Sequence, residues 1–130
     1  MSEKALPIGK PVKNTFNIIQ IKKMLGKKLI VPWKGLNNSP VALKEESRKF
    51  KKKILDSVKD PHGVKKIVIT TVCLGGVMNV VSGLERAVAI SMFSYKDLED
   101  DIISDIKVVV SQYPRMSQAD IKNLILVVGK

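Results

Sequence analysis

Residues 67–84 read IVITTVCLGGVMNVVSGL, eighteen consecutive positions without a charged side chain. The conformation of this run decides the architecture, and three readings compete for it. Its length would suit a membrane span, but two threonines, three glycines, an asparagine and a serine dilute it. As a β-hairpin, the first arm is rich in Val, Ile and Thr, and Gly75-Gly76 would supply the turn. As helix, Val77, Val81, Leu84 and Val88 recur at spacings of three and four, and Ala87 and Ala89 favour the same state. The helical spacing predicts one or two buried helices over 64–93, broken at the glycine pair. The hairpin is the alternative.

Upstream, residues 1–14 hold Pro7, Gly9 and Pro11 among lysines, which predicts a flexible basic arm. From Phe16, Ile18, Ile21, Leu25 and Leu29 follow helical spacing, and IVPWKGLNNSP then reads as a connector. Pro32 forces Val31 to be extended and sets Trp33 beside a turn, as the one aromatic free to stack on a base. Ser39 as N-cap and Pro40 at the first helical position open a second helix, which DPHG at 60–63 closes. Its apolar stripe is Leu43, Ser47, Phe50, Ile54 and Val58.

Downstream, Ser94 and Asp97 form a capping box ahead of Leu98, Ile102, Ile106, Val109 and Tyr113, predicting one helix as far as Pro114. Ser117 and Asp120 repeat the box before Ile121, Leu124, Ile125 and Val128. Together these predict a mainly α fold: a compact bundle of about five helices over 15–130, one domain, behind the arm. The α+β alternative has a central hairpin around Gly75-Gly76.

Charge is divided as sharply as hydropathy. The net charge is +11, with +12 on residues 1–66 and −1 on the rest. Five of the six residues from Arg48 to Lys53 are basic. On a projection of the second helix, Lys44, Arg48, Lys51, Lys52 and Lys59 share an arc of roughly 100°, while Glu45, Glu46, Asp56 and Asp60 fall on the opposite flank with Lys49 and Lys53. Like charges on adjacent turns repel by a few tenths of a kcal/mol per pair, so sorting the signs costs stability with no internal return. That pattern points to a polyanion outside the chain, with Lys22, Lys23, Lys27 and Lys28 extending the surface. Lysine outnumbers arginine twenty to three, and aromatic residues are 5%. Point charges suit phosphates, whereas reading base edges favours arginine, so backbone contact without sequence specificity is expected.

Asp97, Asp101 and Asp105 recur every four residues. On one helix they would form an acidic stripe able to meet the basic helix of a neighbouring copy, head to tail, and so build a homo-oligomer on the template. Catalytic patterns are absent from the sequence. His62 sits in a turn, Cys73 lies in an apolar run without a nearby base, and neither a zinc pattern nor a phosphate-binding glycine loop occurs. No cofactor or metal is expected.

The resulting expectation is a non-enzymatic structural protein that binds nucleic-acid backbone (RNA or DNA) and self-assembles, as a viral nucleocapsid does. A matrix-like protein using the same lysines on an anionic membrane surface is the alternative, and an adaptor for an acidic protein is the third. With a single cysteine and no apolar leader, the chain is expected inside a cell, in cytoplasm or nucleus, or inside a virus particle, rather than secreted.

Overall fold

A computed structural model describes residues 10–36, 39–60 and 62–128. It is an α+β domain, with a five-stranded mixed sheet and five helices among the described residues, and so replaces the expected mainly α bundle. In chain order the elements are β1 (Val12–Asn17), α1 (Ile18–Gly26), β2 (Ile30–Pro32), α2 (Pro40–Asp56), β3 (Lys66–Leu74), β4 (Val77–Ser82), α3 (Leu84–Met92), α4 (Asp101–Ser104), β5 (Lys107–Tyr113) and α5 (Gln118–Val128). The strands lie in the order β1-β5-β3-β4-β2. β3 is parallel to β5, β2 is parallel to β4, and the other two pairings are antiparallel.

The uncharged run forms the centre of this sheet. β3 and β4 pair as a hairpin across Gly75 and Gly76, whose φ values of 61° and 76° suit a two-residue turn of the kind that matches strand twist. β3 is covered on both faces from Ile69 to Val72, where it needs the continuous β-branched composition that made it resemble a buried helix. Register skips one residue between the Thr70–Ser82 and Thr71–Val80 pairs, leaving Val81 as a bulge. Val81 therefore joins Val72 on one face, while Val80 remains with Ile67 and Ile69 on the other.

Each face has its own core. On one, Ile67, Ile69, Val80, Val108 and Val110 pack with Ile18 and Ile21 of α1, Ile54 of α2, Ala87 and Ile90 of α3, and Phe93. On the other, α5 lays Ile121 and Leu124 over Val72, Val81 and Trp33.

Three further expectations change. The helix expected from Phe16 starts at Ile18, after Asn17 caps it and Val12–Asn17 has already paired with β5. Residues 12–14 are therefore strand, and the rest of the expected arm lies outside the described residues apart from Lys10 and Pro11. The long helix expected over 94–113 is instead a capped turn at 94–99, the short α4 and then β5. Trp33 is 6% exposed, so it is a core residue rather than a free stacking surface.

α2 starts as its N-cap predicts but ends at Asp56, ahead of the DPHG expected to close it. Ser39 Oγ accepts from Ala42 N at 3.4 Å, and Ser47 and Ile54 are fully buried. At its other end Ser57 Oγ donates to Lys53 O (2.9 Å) and accepts from Val64 N (2.7 Å), tying the helix exit to the approach of β3.

Candidate nucleic-acid interface

Burying Leu43, Ser47, Phe50 and Ile54 turns the opposite side of α2 to solvent. Lys44, Arg48 and Lys52 are exposed there, whereas Lys59 is exposed in the turn after α2 ends at Asp56, so the projected helical arc does not include it. Lys51 is half-buried, its ammonium 5.4 Å from the centre of the Phe93 ring, and it also attracts the Asp97 carboxylate. Among the described residues, the one acid–base pair within 4.0 Å is Glu85–Arg86 at 3.8 Å. None of the five predicted α2 bases is neutralised by a contact carboxylate.

The α1 lysines divide. Lys23, Lys27 and Lys28 are exposed, and Lys28 has a positive φ of 60° just beyond the helix end. Lys22 is half-buried and turns inward: its Nζ donates to Ser91 O at 3.1 Å and lies 5.2 Å from the centre of the Tyr95 ring. Lys22 and Lys51 thus approach residues 91–97 from two helices, and this segment links the two basic groups. Tyr95 is 54% exposed beside them. Sequence reading passed over Tyr95 because it assigned this stretch to the start of a buried-stripe helix. The only available signal was its place in a capping turn, where side chains commonly face water.

The acidic stripe does not form. Asp97 is in the capped turn, Asp101 opens α4 and Asp105 follows its last residue, so the three share no helix. Their four-residue spacing carries no common face once the chain turns between them. Asp105 instead lines a recess with Lys65, Lys66 and Lys107. Lys66 and Lys107 are register partners on adjacent parallel strands, a second group of bases that only the pairing of distant strands brings together.

Asp97 has a local task. Its Oδ2 accepts from Ser94 N at 3.2 Å while its own N–H donates to Ser94 Oγ at 3.1 Å, completing the predicted box. The Ser94 backbone N–H, then its hydroxyl, hold the carboxyl below the ordinary value of 3.8 against a smaller opposing effect of burial, and Lys51 and Lys96 add attraction. A depressed carboxyl contributes stability above its unfolded-state pKa and loses it as pH falls through the folded-state value. Asp97→Asn should therefore destabilise the protein at neutral pH, with the difference from wild type shrinking as pH falls below the ordinary value of 3.8 in parallel denaturant titrations. A gap that stays constant down to pH 2 would contradict this role.

His62 is an exposed turn residue, and its N–H donates to Asp60 Oδ1 at 2.9 Å. Cys73 is half-buried on β3. No group of three or more His, Cys, Asp or Glu side chains able to hold a metal ion occurs among the described residues. No described helix is long and apolar enough to cross a membrane. No protein-family model, curated protein or solved structure matches this chain.

Proposed function

We propose that this protein binds the phosphate backbone of nucleic acid without sequence specificity, in a structural rather than catalytic role, and that single strands are its preferred form. The observation that carries the proposal is the exposed, unneutralised row Lys44, Arg48 and Lys52 along α2, with Lys59 exposed in the turn beyond it, continued through Lys51 and Lys22 towards α1. A helix needs no such row to fold, and a polyanion satisfies it at once by releasing its counterions. Tyr95 supports the preference for single strands, because one partner of its ring is the Lys22 ammonium and the residue still exposes 54% of its surface. An unpaired base stacking there would gain about 1–3 kcal/mol.

Head-to-tail assembly has lost its acidic helix and forms no part of this reading. The test is retention of the full chain on immobilised random-sequence single strands, compared with flotation on vesicles containing phosphatidylserine. The proposal predicts retention at about 50 mM salt and little flotation. Flotation without retention would replace it with the membrane reading, and neither would leave an acidic protein partner. Tyr95→Ala should weaken binding to single strands about 5- to 100-fold while leaving duplex binding unchanged. Equal losses on both forms would remove the stacking role.

A further inference from the structure

On the sheet face that carries α5, a cavity of about 550 Å³ opens between the β3–β4 turn, the exit of β2 and the start of α5. Its walls are apolar, formed by Trp33, Leu74, Val77, Met116 and Ile121. Two bases, Lys28 and Lys34, stand among the lining residues and no acid does. Both lysines are exposed, so their ammonium groups belong to the rim.

Two uncharged polar side chains also line it, Gln118, which is exposed, and Asn79, which is buried. Asn79 is 9% exposed, and its Nδ2 donates to Val77 O at 3.0 Å. That bond fixes which end of the amide is the donor, and no described residue donates to the Oδ1 left over. No buried side-chain nitrogen or oxygen among the described residues lacks a partner, so this Oδ1 is open to solvent on the cavity side, where a ligand N–H can replace water. Pockets of this kind, mostly apolar with a few placed polar groups, are the usual form of small-molecule sites.

From these features we propose that the cavity receives a nucleobase, with the attached phosphate held between Lys28 and Lys34. The ligand must have a flat or compact apolar body to meet the walls, an N–H to meet Asn79 Oδ1, and a negative charge to meet the two lysines. A nucleotide has all three, and the exocyclic amine or ring imide of a base supplies the donor. A fatty acid has the charge and the apolar body but offers Asn79 nothing. Gly35 already lies against the six-membered ring of Trp33, since a Cβ there would fall 2.4 Å from its Cη2, so the base meets the exposed edge of the indole rather than stacking on it. The inference rests on the nucleic-acid reading for its biological sense but uses none of the α2 bases. It makes this cavity a second contact point, at which a single strand turns a base inward.

Trp33 is the single tryptophan of the chain, so its fluorescence reports on this cavity. Titration of the full chain with adenosine and cytidine 5′-monophosphates should give saturable changes in that emission. Asn79→Leu should weaken the response about tenfold, the loss expected for one hydrogen bond to the ligand. Because Asn79 sits within β4, the exposed pair Lys28→Ser and Lys34→Ser is the second variant, and it should weaken the response with unchanged folding. Replacing Lys44, Arg48, Lys51 and Lys52 with Ser should leave it intact. Absence of saturation with either nucleotide would overturn the proposal, even if oligonucleotides bind elsewhere. An equal response to ribose 5-phosphate would reduce the site to an anion contact, and a response to decanoate that nucleotides do not displace would make it an acyl site; either overturns it. A nucleotide response without oligonucleotide binding would uphold this cavity while removing the backbone reading.

Discussion

Replacing Lys44, Arg48, Lys51 and Lys52 together with Ser should lower affinity for a random single-stranded oligonucleotide by about 10²- to 10³-fold at about 0.1 M salt. Each phosphate contact on a single strand contributes about 0.7 to the slope of log K against log salt, so four contacts contribute about 3. At 0.1 M salt that slope corresponds to nearly three decades. Folding should survive, because exposed substitutions usually alter stability by no more than about 0.5 kcal/mol. Lys51 is the exception, since its ammonium lies near the Phe93 ring and Asp97. The triple variant that spares it should therefore keep the wild-type melting temperature and flatten the slope by about 2. A quadruple variant that binds as tightly as wild type at every salt concentration would remove α2 from the interface.

Phe93→Ala should destabilise the domain by about 3–5 kcal/mol. Phe93 is 1% exposed, just beyond α3 in the larger core. Losing the ring removes its transfer free energy and leaves a cavity that the surrounding isoleucines cannot fill without shifting. For a domain with a typical 5–15 kcal/mol of stability this is a large fraction, visible as a lower urea midpoint at unchanged slope. The same substitution removes the ring against which Lys51 rests, so some loss of affinity should accompany it. A cost below about 1 kcal/mol would mean that Phe93 is not the packed residue described above.

The parts of the chain that local chemistry specifies were legible in the sequence. Ser39, Pro40 and the stripe from Leu43 to Ile54 place α2, although it ends at Asp56 rather than at DPHG, and both hydrogen bonds of the Ser94–Asp97 box are present. The central sheet was misread for a physical reason. A spacing of four is even, so it satisfies strand alternation as well as helical repetition. Val77 and Val81 fit a helix on paper and sit in β4, with the bulge at Val81 altering the alternation beyond it. Val109 and Tyr113, also four apart, lie on the same side of β5. Where the core covers both faces of a strand, alternation disappears and only β-branching and length remain as signals.

The interface shows the same division. Bases on one helix could be sorted by arithmetic, because their neighbours in space are neighbours in sequence. Tyr95 beside Lys22, Lys66 beside Lys107, and Asn79 in the cavity with Lys28 and Lys34 depend on contacts between distant segments. The acidic stripe shows the converse error, in which regular spacing suggested a shared face but the chain turned between the three residues.

The most direct measurement of the central claim is the affinity of the wild-type chain for a labelled random-sequence single strand between about 50 and 200 mM salt. Five to seven phosphate contacts predict a straight log–log plot with a slope of about −3.5 to −5. A slope near zero, or no binding at the lowest salt, would show that the bases on α1 and α2 do not face a nucleic-acid backbone.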